Sequence, residues 1–215
     1  MREDYTLNEG VLEKYLLMDS GDPVIVPNGT KTIGSEFLQP CYDLGDIGLG
    51  VSKIVIPDSV ETVSPGAFVE LEWVSEGFEV DRENPYLRAE GRMLFSKDGT
   101  RLIAVLPLDN YQTGKELIIP DGVEIVEECA MYNADYETIV CPQSVKTIKD
   151  QWFHPDIWAD GLGGQEYVTG VFHNKDTVFP GKIKDLLKYA EIIKAPEGSE
   201  AIEYAKEHGI EYEVI

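Results

Sequence analysis

Basic residues are scarce in this 215-residue sequence. It contains 18 lysines and arginines against 40 aspartates and glutamates, which gives a formal net charge of −22 at pH 7. Proteins that bind nucleic acids or anionic membrane surfaces rely on clusters of lysine and arginine. The composition therefore argues against both classes of partner. An acidic surface favours solubility, and it also attracts a basic partner or cations.

Long apolar runs are lacking as well. No stretch approaches the ~18 consecutive apolar residues of a membrane-spanning helix, so we expect no membrane insertion. The first five residues are acidic and lead into no apolar segment of the signal-peptide type. Cysteine is rare and odd in number, at Cys41, Cys129 and Cys141, with no C-x-x-C pair. We expect Cys129 and Cys141 to pack in the core. The absence of a signal-type segment and the odd number of cysteines both favour a cytoplasmic location.

Signatures of catalysis and metal binding are absent or incomplete. His154 lies near Asp156 and Asp160, a combination that could bind a metal or act as a base, but no second histidine stands at ligand spacing. Asp43 and Asp46 resemble an acidic calcium loop without the alternating spacing of an EF-hand. No G-x-S-x-G or catalytic Cys–His signature is present. We therefore predict no catalytic residue, no metal and no cofactor.

A repeated phrase, I-x-I-P-x-x-V-x-x-V, is the most informative feature of the sequence. Its copies begin at Ile54, Leu117 and Ile139, and a weaker copy begins at Val24. Side chains alternate across a strand, and proline lacks an N–H and ends that strand. Apolar residues three apart then suit a tight turn that directs both to one side. Each such unit buries its apolar face only against its neighbours, which predicts a solenoid.

The phrase and the residues after it resemble the BspA-like leucine-rich repeat, L-x-x-I-x-I-P-x-x-V-x-x-I-x-x-x-A-F, a bacterial class. In one copy the matching residues are Ile54, Ile56, Pro57, Val60, Val63, Ala67 and Phe68. The other copies end in the pairs Phe37-Leu38, Ala130-Met131 and Trp152-Phe153. The resemblance covers most of residues 22–212. It implies an α/β leucine-rich-repeat solenoid, with a parallel sheet of short strands, irregular turns or short helices on the other side, a β-hairpin insert and terminal caps.

The predicted layout is a single leucine-rich-repeat domain over residues 1–215. Its parts are an N-terminal cap (1–21), repeats (22–71), a hairpin insert (72–115), repeats (116–153), an excursion and helix (154–191) and a C-terminal cap (192–215). We expect Pro57, Pro120 and Pro142 to end neighbouring strands of one sheet. The asparagine that follows the strand in many leucine-rich repeats is expected to be missing, because proline takes that corner.

Local patterns predict several further elements. Turn residues between apolar residues indicate hairpins around residues 8–10 and around Asp98-Gly99. Apolar residues at helical spacing indicate a helix over Ile183–Glu191, and the capping residue Ser199 indicates a second helix that ends at Gly209. A final strand is expected over Ile210–Val214.

The middle residues of the repeat strands are the candidate binding site. Strand alternation turns Ile25, Val55, Ile118 and Val140 away from the core, so they are expected to line up as an exposed apolar stripe. Two alternatives remain open. The insert or a cap covers the stripe, or β-propensity alone selected isoleucine and valine there.

The favoured function is a non-enzymatic binding module for a protein or a glycan. BspA-like relatives include bacterial surface adhesion proteins, and this resemblance implies partner binding and is compatible with the cell surface. One alternative is an enzyme with a site in the loops of residues 154–173, where the glycine-rich segment 161–164 lacks the lysine of a P-loop. Another is a structural module of a larger assembly.

Overall fold

The computed structural model of the protein describes residues 5–17, 21–35, 37–40, 50–69, 71, 73–107, 116–131, 136–149, 168–179 and 190–215. The chain divides into two compact units, Met1–Tyr111 and Gln112–Ile215. Each unit consists mainly of short strands joined by tight turns. The boundary between them lies within the predicted insert, and the assignment of the whole chain to one domain stays a prediction.

The described residues of the first unit form eleven strands. They are β1 (Tyr5–Asn8), β2 (Val11–Leu17), β3 (Val24–Ile25), β4 (Thr32–Ile33), β5 (Leu38–Pro40), β6 (Gly50–Ile56), β7 (Thr62–Val63), β8 (Trp73–Val80), β9 (Leu87–Glu90), β10 (Met93–Ser96) and β11 (Arg101–Val105). One parallel sheet has the order β3-β6-β8, and a second has the order β1-β2-β4-β7, with β5 also paired to β2. Strands β9, β10 and β11 form an antiparallel meander.

The second unit contains β12 (Glu116–Ile118), β13 (Ile125–Val126), β14 (Thr138–Cys141), β15 (Thr147–Ile148), β16 (Val168–Phe172), β17 (Ala190–Ala195), helix α1 (Glu200–His208) and β18 (Glu211–Val214). Its main sheet is parallel throughout, in the order β12-β14-β16-β17-β18. Strands β13 and β15 form a second parallel pair. Because α1 is the single helix in the described ranges, the architecture is a β-solenoid with parallel sheets, and the predicted α/β class is too rich in helix.

The turn after each proline has the predicted geometry. The N–H of the residue three positions on donates to the proline carbonyl in all four copies, for example Val123 to Pro120 at 3.3 Å and Val145 to Pro142 at 3.1 Å. This turn directs the third residue into the core, where Val60, Val123 and Val145 are buried. Successive turns are also joined by equivalent bonds, from the Gly29 N–H to the Ser59 hydroxyl (3.1 Å) and from the Gly122 N–H to the Ser144 hydroxyl (3.0 Å).

One prediction about the stacking of the repeats is wrong. The strands that end at Pro120 and Pro142 are neighbours, but the strand that ends at Pro57 lies in a different sheet. This strand, β6, pairs on one side with β3 and on the other with β8, the first strand of the predicted insert. The pairing of β6 and β8 aligns Ile54 with Phe78. Strand β8 lacks the proline phrase, so the sequence does not mark it as a repeat strand. The insert therefore contributes a strand of the solenoid in addition to its hairpin.

The predicted hairpins and the C-terminal helix are confirmed. Strands β1 and β2 pair around residues 9–10, and β10 and β11 pair around Asp98-Gly99. Hydrogen bonds from Ser96 and Thr100 lower the pKa of the Asp98 carboxyl to about 2. Helix α1 begins after Ser199, whose hydroxyl accepts from the Ile202 N–H (3.3 Å), and ends at Gly209 in the left-handed conformation.

The predicted helix over Ile183–Glu191 does not extend to its proposed end. Ala190 and Glu191 are the first residues of β17 and are extended; Ala190 pairs with Val168, and Glu191 lies at the register shift that follows. The earlier part of that helix, residues 183–189, lies outside the described residues.

Each unit has its own apolar core. In the first, three phenylalanines contact one another edge to face, with ring centroids 5.9 Å apart for Phe37 and Phe68 and 5.1 Å for Phe68 and Phe78. In the second, Ala130 and Met131 are buried at the equivalent repeat position. The predicted apolar pairs at the repeat ends are thus confirmed for these copies, while the pair Trp152-Phe153 lies outside the described residues.

The side-chain amides of two asparagines donate hydrogen bonds to backbone carbonyls of the proline turns. The buried Asn84 amide donates to the carbonyls of Pro57 (2.8 Å) and Val60 (2.9 Å). Asn174 donates in the same way to the Val145 carbonyl (2.8 Å). The expectation that such asparagines are missing fails for β8 and β16, two strands that lack the proline phrase, since an asparagine follows each of them.

Thr30 breaks the repeat pattern in a way that predicts a stabilising substitution. It occupies the position of Val60 in the weakest copy, and its hydroxyl is buried without a hydrogen-bond partner among the described residues. Replacing Thr30 with valine keeps the shape and removes the desolvated hydroxyl. We expect the free energy of unfolding to rise by about 1 kcal/mol, measured by urea denaturation.

Thr177→Val is the matched control for this substitution. Thr177 is equally buried, but its hydroxyl donates to the Val145 carbonyl at 2.9 Å. Loss of the Thr177 hydroxyl removes one donor to the Val145 carbonyl, so we expect the free energy of unfolding to fall. A fall in stability for both variants would contradict the assignment of Thr30 as an unsatisfied group.

Candidate binding surface

In the first unit, the outer face of the sheet β3-β6-β8 carries an apolar pair beside an ion pair. Parallel register places Ile25 next to Val55, and Val55 next to Glu79. Ile25 is 57% exposed and Val55 is half-buried, whereas Val24 and Ile54 on the opposite face are buried. Alternation along each strand therefore separates an inner apolar face from this outer one. We call Ile25 and Val55 the first patch.

A lysine on the same sheet forms the polar border of the first patch. The Lys53 ammonium lies 2.7 Å from the Glu79 carboxylate, and this hydrogen bond raises the pKa of Lys53 above its ordinary value. On the other side, the Ile25 N–H donates to the Tyr15 hydroxyl at 3.4 Å. The first patch thus lies between a tyrosine from β2 and a lysine–glutamate pair.

In the second unit, one row of aligned side chains crosses the outer face of the main sheet. The register aligns Ile118, Val140, Val171, Lys194 and Glu213 in that order. Ile118 is 58% exposed, and Val140 and Val171 are half-buried. The row ends in an ion pair, with 2.6 Å between the Lys194 ammonium and the Glu213 carboxylate. We call Ile118, Val140 and Val171 the second patch.

The structure brings the four predicted residues together as two pairs. Ile25 is aligned with Val55 across β3 and β6, and Ile118 is aligned with Val140 across β12 and β14. Because the pairs belong to different units, a single continuous stripe stays a prediction. Val171 was not predicted, since β16 has no proline phrase. The alternation of Val171 with the buried Gly170 and Phe172 is the sequence signal that could have identified it.

The described residues were compared with the requirements of metal sites, reactive thiols and membrane-spanning helices. Among them, no three histidines, cysteines, aspartates or glutamates are grouped as metal ligands. Cys141 is buried as predicted, whereas Cys129 is only half-buried. Burial raises the pKa of the Cys141 thiol to about 12, which keeps it protonated at neutral pH. No helix in this part of the chain is long and apolar enough to cross a membrane.

Several residues considered from the sequence lie outside the described residues. They are Asp43 and Asp46 of the calcium-like loop, and His154, Asp156 and Asp160 of the alternative enzyme site. The described part of that segment, residues 168–173, forms β16 and the corner after it. It supplies Val171 to the second patch.

Comparison with solved structures identifies a similar fold. The crystal structure of a leucine-rich repeat protein from Eubacterium ventriosum matches with a TM-score of 0.57 and 22% sequence identity, over 82% of this chain and 42% of that chain. This chain therefore spans less than half the length of that protein. The pneumococcal vaccine antigen PcpA matches with a TM-score of 0.42 and 15% identity, over 90% of this chain and 68% of that one.

The sequence itself has no detectable match among described protein families or curated proteins. The likeness in structure thus bears on the fold alone, and it agrees with the proline phrase and with its BspA-like pattern. The chain has the fold of a bacterial leucine-rich repeat protein.

Proposed function

We propose that this protein is a non-enzymatic protein-binding module, with the first and second patches as its contact surfaces. The observation that carries the proposal is the exposure of Ile25 and Ile118, each more than half accessible on the outer face of its strand. A threonine at these positions would satisfy the same β-branched backbone preference without exposing an aliphatic side chain. Isoleucine therefore adds apolar surface that folding does not require.

The second patch has the composition of a small interface. Its centre is aliphatic, and the adjacent row on the same face consists of Glu116, Thr138, Thr169, Ile192 and Glu211. Interfaces between proteins combine an apolar centre that excludes water with a polar and charged border. The ion pair between Lys194 and Glu213 supplies part of that border.

The side chains of both patches favour a protein as the partner. Isoleucine and valine offer apolar contact and have no hydrogen-bonding groups for sugar hydroxyls. The net charge of −22 further favours a partner surface that is basic around an apolar centre. A glycan is the competing ligand, and a glycan array tests it directly.

The test is a double substitution, Ile25→Thr with Ile118→Thr. We expect the free energy of unfolding to change by less than about 0.5 kcal/mol, because both side chains are exposed. Retention of the native partner from lysate of the source cells should fall at least tenfold, measured by quantitative mass spectrometry. The loss of two central apolar contacts explains the expected decrease.

Val178→Thr is the matched control. Val178 is 53% exposed and lies outside both patches, so its substitution changes an equally accessible aliphatic side chain elsewhere. We expect wild-type retention for this variant. Equal retention by the double variant and the wild type would contradict the proposal, and so would a decrease of the same size in Val178→Thr.

A further inference from the structure

The first proline turn holds an exposed asparagine next to a glycine, and we propose that Asn28 is a site of spontaneous modification, where the hydroxyl of Ser59 holds back deamidation. Asn28 is the one asparagine in the sequence that a glycine follows. The reaction needs no enzyme, and water is its only co-reactant. It concerns the covalent chemistry of a turn and is independent of the binding function of the two patches.

The reaction has two steps that balance. The backbone nitrogen of Gly29 attacks the side-chain carbonyl carbon of Asn28, and the new C–N bond closes a five-membered succinimide ring. The bond from that carbon to the side-chain nitrogen breaks, and the nitrogen leaves as ammonia with the proton that Gly29 has lost. Water then opens the ring at either carbonyl, which gives aspartate or isoaspartate. Nothing is oxidised or reduced.

The turn leaves the reacting groups accessible. Asn28 and Gly29 are both exposed. Gly29 has a φ of +88°, and the Thr30 N–H donates to the Pro27 carbonyl at 3.2 Å, so Asn28 and Gly29 are the central residues of a β-turn. No atom lies within 4 Å of the place that a Cβ of Gly29 would take. The attacking nitrogen is therefore free of the hindrance that a neighbouring side chain imposes.

The hydroxyl of Ser59 restrains the attacking nitrogen. The Gly29 N–H donates to this hydroxyl, which belongs to the next turn of the solenoid, at 3.1 Å. Attack requires that the nitrogen lose its proton and move out of the plane of its peptide group, and the hydrogen bond opposes both changes. The bond must open before the ring can close. The rate at Asn28 therefore depends on how firmly the two turns are docked together.

The other asparagines that the structure describes are less suited to the reaction. Proline follows Asn84, and its nitrogen has no proton to lose. Lysine follows Asn174, whose amide donates to the Val145 carbonyl at 2.8 Å and whose side-chain oxygen accepts from the Asp176 N–H at 3.0 Å. Glutamate follows Asn8. Asn174 is thus an internal reference, since its side chain is fixed by two hydrogen bonds.

The two products differ in their effect on the turn. Aspartate fits the turn, because Asp58 and Asp121 occupy the equivalent position in two other copies of the repeat. Isoaspartate adds one carbon to the main chain inside the turn, which separates the Thr30 N–H from the Pro27 carbonyl. Thr30 is buried, so this change reaches the core of the first unit. We expect the isoaspartate form to unfold at a lower urea concentration than the aspartate form.

The experiment follows deamidation of the whole 215-residue chain in mildly alkaline buffer by peptide mass spectrometry. We expect Asn28 to react faster than Asn174. Ser59→Ala should raise the rate at Asn28 about fivefold, as expected for the loss of one hydrogen bond. The matched control is Ser144→Ala, which removes the equivalent bond to the Gly122 N–H in the second unit and should leave that rate unchanged. An unchanged rate in Ser59→Ala, or the same increase in the control, would overturn the proposal.

The unfolded chain gives the upper limit of the rate. In urea the hydrogen bond is absent, so the wild type and Ser59→Ala should react equally, and both faster than the native wild type. Ser59→Thr keeps a hydroxyl and should keep the slow native rate. Gly29→Ala in urea should react more slowly, because its methyl group hinders the attacking nitrogen. A native wild-type rate equal to that in urea would overturn the proposal even if Ser59→Ala did not fold, and so would an unchanged rate in Gly29→Ala.

Discussion

Replacing Val123 with aspartate should abolish cooperative folding of the unit Gln112–Ile215. Val123 is buried, and the turn that directs it inward is closed by the hydrogen bond from its N–H to the Pro120 carbonyl. An unpaired carboxylate at such a site costs several kcal/mol, which is comparable with the total stability of a domain, about 5–15 kcal/mol. Thermal unfolding followed by circular dichroism should show that the transition of this unit is lost.

Val178→Asp is the control for Val123→Asp. It introduces the same residue in the same unit, at a valine that is more than half exposed. We expect its melting temperature to remain within a few degrees of the wild type. A wild-type melting curve for Val123→Asp would mean that the third residue after the proline is not part of the core.

Replacing Gly77 with alanine should have the second largest effect. Gly77 lies in β8 with φ +124°, and a Cβ there would overlap the Gly91 carbonyl oxygen and lie 2.8 Å from its carbonyl carbon. Backbone atoms cannot move aside as a side chain can, and the Phe78 N–H donates to that same Gly91 carbonyl at 2.9 Å. We expect a loss of about 3 kcal/mol in the free energy of unfolding, measured by urea denaturation.

Gly29→Ala separates the steric cost from the conformational cost. Gly29 also has a positive φ, +88°, but a Cβ there would have no atom within 4 Å. Its substitution should therefore cost about 1 kcal/mol, from backbone strain alone. Equal losses for the two alanine variants would show that the approach of β8 to Gly91 is not tight.

The turns of the solenoid were predictable because their causes are local. Pro57 ends its strand by its own covalent structure, and the position of Val60 follows from the turn it begins. Neither requires a distant contact. The same reasoning predicted the helix after Ser199, where one hydroxyl caps the first turn.

The order of the strands depends on distant contacts and was predicted incorrectly. Strand β8 lies beside β6 because Phe78 and Val80 align with Ile54 and Ile56, although Asp81 follows where the other copies have proline. A search for the proline phrase therefore passes over it. The role of Asn84 was missed for a related reason, since its carbonyl partners are 24 and 27 residues away in the chain.

The sequence predicted which face the candidate binding residues occupy, but it did not predict how exposed each of them is. Alternation places Ile25, Val55, Ile118 and Val140 on the outer faces, but Ile25 and Ile118 are far more exposed than the other two. They belong to β3 and β12, which each lie at the end of a sheet, whereas β6 and β14 have strands on both sides. Exposure thus depends on sheet order, which the repeat phrase does not encode.

The spacing of the bonds that join successive turns has a consequence for folding kinetics. Gly29 and Ser59 are 30 residues apart, and Gly122 and Ser144 are 22 apart. Docking one turn on the previous one closes a loop of about this size, however many turns are already formed. Loop closure costs about 0.6 kcal/mol more for each doubling of length, so a constant loop means a constant entropic barrier. Within a unit, chain growth by further turns would leave the time required for each docking step unchanged.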